Sequence, residues 1–277
     1  MRRFTTVSLA LSLVSCGSHV SESTPVPSST NQTPVSEPPT PQTTDVVILG
    51  CIHELHNENP YYSLSTLEDI MADYAPDVVL VELAIDCFKG TDPMAGLAAF
   101  FRTYDGPKTE LYVSWQYCAK KNIPCLPYDI AGRNEFYEEN DYNDREPRYY
   151  ANLFDELKKA NPLLYDVVDS VNALADSCTN GRPEALNSPL CDEIAKAKID
   201  YWDRAETMIQ VPDSEWAALD NDHWTRRNDS MAKTICDIAK RHSGQRILVP
   251  MGSYHRYYVR KLLREKCPAA NVHEYWE

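Results

Sequence analysis

Two stretches of this chain share one spacing. Gly50-Cys51-Ile52-His53 and Gly252-Ser253-Tyr254-His255 each place a histidine three residues after a glycine, and each glycine closes an apolar run, Val46-Val47-Ile48-Leu49 and Ile247-Leu248-Val249-Pro250-Met251. Runs of this kind form strands buried on both faces. Glycine lets the chain leave the sheet with little steric restriction, so each imidazole is expected about one turn beyond a strand's carboxyl end. In open α/β sheets ligands bind in the crevice past those ends. Glu82, near the close of Asp77-Val78-Val79-Leu80-Val81-Glu82-Leu83, and Asp129, at the end of a weaker run over 123–129, bring carboxylates to the same edge. His53, Glu82 and His255 are therefore a candidate mixed nitrogen and oxygen site for zinc, manganese or cobalt. An open coordination position there would lower the pKa of bound water and polarise a carbonyl. Arg227, always charged, is a candidate clamp for a substrate carboxylate or an oxyanion, unless it serves as the structural partner of Glu82. Asn228 beside it adds a neutral donor.

Glu54, His56 and Asp129 are additional candidates. His53-Glu54-Leu55-His56 looks like a truncated H-E-x-x-H, but its histidines are three apart and follow a strand instead of lying on a helix, so the zincin reading fails. Cys51 is read as buried packing, not as a nucleophile.

The elements that must position these groups can be read in order. Ser65-Thr66-Leu67-Glu68 has capping-box spacing, Leu67, Ile70, Met71 and Tyr74 mark one helical face, and Ala75-Pro76 ends the helix. The strand at Asp77 then completes a β-α-β unit, whose crossover predicts a parallel pair. Helices follow over 94–104 and 109–121. Pro124 and Pro127 predict an edge position for the third strand. The acidic, tyrosine-rich stretch 132–146 shows no period and reads as a surface loop. Residues 148–210 read as a helical insertion broken at Asn161-Pro162 and between Cys178 and Cys191. A long helix over 213–242 carries Arg227 and Asn228, and the fourth strand, a helix over 256–264 and a short strand around Val272 close the chain. The fold class is α/β: a central, mostly parallel sheet flanked by helices, with a helical insertion between the sheet-forming units.

Of 277 residues, 25% are charged and 43% hydrophobic, ordinary for a globular protein, and the net charge of −14 opposes binding to phosphate backbones. Nucleic acid is excluded as a partner on that ground. Residues 1–15 read as a signal peptide: Arg2-Arg3 precedes an apolar stretch too short to span a bilayer. Leu13-Val14-Ser15-Cys16 is similar to a bacterial lipobox, making Cys16 the expected lipid attachment point. The Ser-, Thr- and Pro-rich stretch through residue 44 reads as a disordered tether, and residues 45–277 as the folded domain. These features describe an exported lipoprotein held at the cell envelope, on the periplasmic face of the outer membrane in a Gram-negative cell, touching membrane through its anchor alone. In an oxidising compartment some of the eight cysteines other than Cys16 are expected to be bridged, Cys178 with Cys191 first and Cys118 with Cys125 next. No spacing among them matches a zinc site.

The two G-x-x-H motifs, the glutamate of PDVVLVEL at Glu82, and Arg227-Asn228 followed by Met231 in an R-N-x-x-M pattern together resemble the TraB/Tiki superfamily, which takes in GumN-like proteins, erythromycin esterases and haem-binding ChaN lipoproteins. The resemblance spans residues 45 to about 265, with the middle unmatched. It implies a central sheet flanked by helices and a site at its carboxyl edge. Tiki-like members imply a membrane-tethered, metal-dependent peptidase in which His53, His255 and Glu82 belong to the site. Members resembling erythromycin esterases use a histidine base for ester hydrolysis without a metal, but their motif is G-E-x-H, and Cys51 stands here in place of the glutamate. The expectation is an exported, metal-dependent hydrolase acting on an amide or ester bond of a small molecule or peptide. The alternative is a non-catalytic lipoprotein binding haem in the manner of ChaN-like proteins, which the histidines and the many tyrosines permit.

Overall fold

The apolar runs become parallel strands of one sheet. The computed structural model describes residues 43–88, 90–213 and 215–276; the signal peptide, Cys16 and nearly all of the tether lie outside the described residues. Strands β1 (Thr44–Cys51), β2 (Val78–Ala84), β3 (Cys125–Asp129), β4 (Arg246–Gly252) and β5 (Ala270–His273) lie in the order β3-β2-β4-β1-β5, every pair parallel. β1 begins at Thr44, one residue before the expected Asp45, and the buried Thr44 hydroxyl donates to Ala239 O at 2.7 Å.

Helices α1 (Leu64–Tyr74), α2 (Pro93–Thr103) and α3 (Glu110–Lys121) come from the first half of the chain. Then follow α4 (Arg133–Glu139), α5 (Tyr142–Ala160), α6 (Pro162–Thr179), the short α7 (Pro183–Leu186), α8 (Pro189–Met208), α9 (Glu215–Arg241) and α10 (Ser253–Lys266). Strand side chains alternate between two faces. Val47, Leu49, Val79 and Val81 pack with Leu67 and Met71 of α1 and with Leu97, Leu111 and Val113, whereas Val46, Ile48, Val78 and Leu80 pack with Met231 and Ile235 of α9 and Val259 and Leu263 of α10. The chain thus leaves β1 toward one face and β4 toward the other. Since β1 and β4 are neighbours, with Cys51 opposite Gly252, their carboxyl ends form the topological switch point where such sheets hold ligands.

β1 and β2 are parallel but not paired, because β4 inserts between them. The α1 cap is Ser63, whose hydroxyl accepts from Thr66 N, not Ser65. The stretch 132–146 is not a loop: it holds α4 and the start of α5, where Tyr142 and Tyr149 are buried on the same face as Leu153 and Leu157. Helical structure therefore begins before residue 148, around a separate core that includes Leu164, Trp202 and Trp216. The second disulfide is Cys236–Cys267, joining α9 to the end of α10, whereas Cys118 and Cys125 are free; Cys178–Cys191 is bridged as expected. β3 is an edge strand, as its prolines require. No helix among the described residues is long and apolar enough to cross a membrane.

Candidate active site

The two glycines are needed for close approach, not for backbone freedom. Neither Gly50 nor Gly252 has a positive φ; His53 does, at 51°. A Cβ on Gly252 would lie 2.8 Å from His53 Nε2 and 3.5 Å from Glu82 Oε2. The absent side chain lets an imidazole from β1 and a carboxylate from β2 meet in front of β4. This opening exists because the β2–β4 ladder runs only through Val78 and Val79, opposite Ile247 and Leu248. Beyond it stands Pro250, which has no amide hydrogen to donate and whose carbonyl accepts from Tyr128 Oη at 2.9 Å. The Gly252 amide, freed from the ladder, donates to Glu82 Oε2 at 2.7 Å.

His53 lies in a 3₁₀ turn (His53–Asn57) directly after β1, with its side chain 30% exposed. Its Nδ1 is 2.6 Å from Oε1 of Glu110, the buried first residue of α3. Burial opposes charge on the ring, but Glu110 outweighs it, helped by Glu82 and Glu54, and pushes the His53 pKa up to about 9. Burial would likewise raise Glu110, yet the two histidines beside it, His53 above all, hold it below the usual carboxylate range. With Nδ1 fixed by a carboxylate, Nε2 faces the gap before Gly252. Sequence reasoning missed Glu110; its signal was an acidic first helical residue directly after Thr109.

Behind this pair is a buried network centred on Arg227. Its Nε donates to Asp129 Oδ1 at 2.9 Å, its Nη2 to Asp129 Oδ2 at 2.9 Å and Glu82 Oε1 at 2.6 Å, and its Nη1 to Tyr137 Oη at 3.3 Å and His255 Nε2 at 3.2 Å. Every N–H of the guanidinium is thereby engaged. Arg133 Nη1 adds a second cation at 2.6 Å from Asp129 Oδ2. Burial works against the Asp129 and Glu82 charges, but Arg227 holds both below their usual values, helped by Arg133 at Asp129 and by His255 and His53 at Glu82. Asn228 Nδ2 donates to Trp224 O, which turns its Oδ1 toward His255 Nδ1 at 2.9 Å. His255 is therefore an Nδ1–H tautomer whose Nε2 lone pair accepts from Arg227. Burial, then the Arg227 charge, lowers its pKa to about 4, so it is neutral near pH 7.

No protein-family model matches the chain, nor does any curated protein or solved structure.

The sheet edge brings together His53, Glu82, Arg227, Asn228, His255 and Asp129, all singled out in the sequence, but not as a metal triad. His255 Nε2 and Glu82 Oε1 are both directed at the guanidinium, and Glu82 Oε2 at the Gly252 amide. A fixed positive charge thus stands where a dication would have to sit, and the arrangement of His53, Glu82 and His255 does not fit a metal ion. Among the described residues no other group of three His, Cys, Asp or Glu side chains fits one either. Arg227 is likewise placed as an internal partner, without a free donor for substrate. His56 is structural: Nδ1 donates to Tyr62 O at 2.7 Å and Nε2 accepts from Ile52 N at 3.2 Å. Glu54 lies beside Glu110, with Oε2 buried and without a hydrogen-bond partner. Burial, reinforced by Glu110, pushes the Cys51 thiol well up, consistent with packing and not with a thiolate nucleophile.

Proposed function

We propose that the carboxyl edge at β1 and β4 is the active site of a hydrolase for an ester or amide bond, with His53 as the base that takes a proton from the attacking water. The observation that carries this reading is the His53–Glu110 pair, with Nδ1 held at 2.6 Å and Nε2 directed at the same gap as Glu82 Oε2. An imidazole oriented by a carboxylate at one nitrogen and open at the other is the arrangement that general-base hydrolysis needs. Glu110 fixes the tautomer and stabilises the imidazolium once the proton arrives. Glu82, beside Nε2, offers a carboxylate oxygen to orient the water. Arg227 acts as a positioning residue that holds Glu82 and His255.

Histidine-base esterases carry a glutamate in the motif where Cys51 stands here, so the resemblance to them reaches only the histidine. The carboxylate that meets His53 in this chain is Glu110, from another element. The lipobox-like Cys16 adds to the proposal that this hydrolase works at the cell envelope on small molecules or peptides. The test is turnover on a panel of esters and short peptides between pH 7 and 9.5, with and without chelator. Turnover that survives chelator and vanishes in His53→Ala is the expected result. An inactive wild type, or a His53→Ala protein as active as wild type, overturns the proposal; a Soret band on haem titration, lost in His53→Ala, would favour the haem-binding alternative.

A further inference from the structure

The turn bearing His53 is gripped at both ends by the loop inside the Cys178–Cys191 ring. At the strand side, Gly50 N donates to Asn187 Oδ1 at 2.6 Å, and Asn187 Nδ2 donates to Gly50 O at 3.3 Å and Pro183 O at 2.9 Å. The side-chain amide thus pairs with Gly50 as a neighbouring strand would. It does so where no strand remains to do it, since β5 stops opposite Val47. At the far side, Asn59 Nδ2 donates to Thr179 O at 2.9 Å and Gly181 O at 3.0 Å, while Asn59 Oδ1 accepts from Tyr61 N and Tyr62 N. Asn59 and Asn187 are both buried, at 6% and 4% exposure. Both grips reach residues 179–187, which the disulfide closes into a short ring.

We propose that Asn187, presented by the Cys178–Cys191 ring, is a positioning residue for His53: it fixes the Gly50 peptide and so aims the imidazole at Glu110 and at the gap before Gly252. What His53 does once aimed rests on the hydrolase reading; how it is aimed does not. The chain between the Gly50 peptide and His53 is only two residues long, so freedom at Gly50 passes directly to the ring. Misplacement of a base by about an ångström costs on the order of a hundredfold in rate. The expected phenotype is therefore a fall in kcat with KM little changed.

The experiment uses Asn187→Ala and two readouts that require no substrate. One is the downfield proton resonance of the short His53–Glu110 bond, the other hydrogen exchange at the Gly50 amide. The proposal expects Asn187→Ala to lose the resonance, to lose Gly50 protection, and to lower kcat about tenfold or more with KM changed less than about twofold. Should that variant fail to fold, Cys178→Ser/Cys191→Ser, with the second bridge intact, is expected to show the same losses. A folded variant that keeps both the resonance and Gly50 protection overturns the proposal, whatever the activity assay gives. Loss of both signals in a protein whose wild type never turned over a substrate would sustain the positioning role and sink the hydrolase reading alone.

Discussion

Glu110 Oε1 stands 2.6 Å from His53 Nδ1, although 57 residues separate them in the chain. The bond joins the first turn of α3 to the turn after β1, so that the two side chains titrate together. A carboxylate at a helix amino terminus also gains from the N-terminal end of the helix dipole, which keeps Glu110 ionised beside the imidazolium.

Glu110→Gln is expected to lower kcat/KM by about a hundredfold, since the amide neither fixes the tautomer nor stabilises the imidazolium as a carboxylate does. The same variant should move the pH profile. In wild type the base form of His53 gains population as pH rises toward about 9, so kcat/KM should climb over that range. Without the Glu110 charge the inflection should fall toward the ordinary histidine value of about 6.5. Steady-state rates from pH 5.5 to 10 check both statements, and an unmoved inflection would count against the pair.

The Arg227 network makes a prediction of stability. Removing the guanidinium leaves Asp129, fully buried, with Arg133 alone, and Glu82 without any cation at hydrogen-bond distance. Arg227→Ala is expected to destabilise the fold by roughly 3–5 kcal/mol, the usual cost of breaking a buried ion pair from one side. Arg227→Lys should also lose stability, because an ammonium with three donors cannot reach the five acceptors that the planar fork serves. Urea unfolding of both variants decides this. A Lys variant as stable as wild type would mean that the fork is not required.

The parts of this arrangement that were legible in the sequence are those with a local signature. Continuous runs such as Val46 to Leu49 announced buried strands, glycine at the end of a run announced its tip, and the two prolines around Cys125 announced an edge. The order of strands was not legible, because the insertion of β4 between β1 and β2 depends on pairing residues about two hundred positions apart. Tyr142 hid the start of α5, since a phenol in an acidic stretch reads as surface until its burial on the face of Leu153 is seen. Glu110 hid for the opposite reason: an acidic residue in the first turn is ordinary helix chemistry, and nothing near it in sequence needs a partner. The spacing of the two glycines suggests conformational freedom, whereas the structure uses them for close contact.

Two buried histidines should each make acid unfavourable for the fold, while His53 and Glu206, raised to about 9 and about 7, work in the opposite direction. His255 and His223 both have pKa values lowered to about 4, chiefly by burial and next by the Arg227 charge. A group whose folded value lies below its unfolded value of about 6.5 binds protons more readily in the unfolded chain, so stability drops as pH falls from about 6.5 to 4. Each histidine should account for about 2 kcal/mol by pH 5, before most carboxylates protonate. Chemical denaturation at pH 7, 6 and 5 tests the slope. His223→Phe, which keeps a ring stacked on Phe136, should make the change in stability between pH 7 and 5 less unfavourable by about 2 kcal/mol; an unchanged slope in that variant would show that His223 does not contribute.

Gly252→Ala tests whether the gap between His53 and Glu82 is where reaction occurs. The backbone at Gly252, with φ −50° and ψ 127°, suits any residue, so alanine brings no conformational strain. Its Cβ, however, would stand 2.8 Å from His53 Nε2, closer than atoms pack, and 3.5 Å from Glu82 Oε2. The ring must turn aside, and the Glu110 bond that holds it at 2.6 Å must lengthen or break. Because His53 is partly exposed, the ring can move outward, but Gly252 itself is buried, so the change in stability should be about 1–3 kcal/mol, the usual cost of overpacking, and the protein should remain folded. If the proposed reaction takes place in this gap, activity should fall by about a hundredfold or more, because the methyl fills the space between Nε2 and Glu82 and displaces the imidazole. Paired melts and rates settle the matter: an active Gly252→Ala enzyme would place the reaction elsewhere on the sheet edge, and an unfolded one would mean that His53 and Glu82 are packed against β4 more rigidly than their exposure indicates.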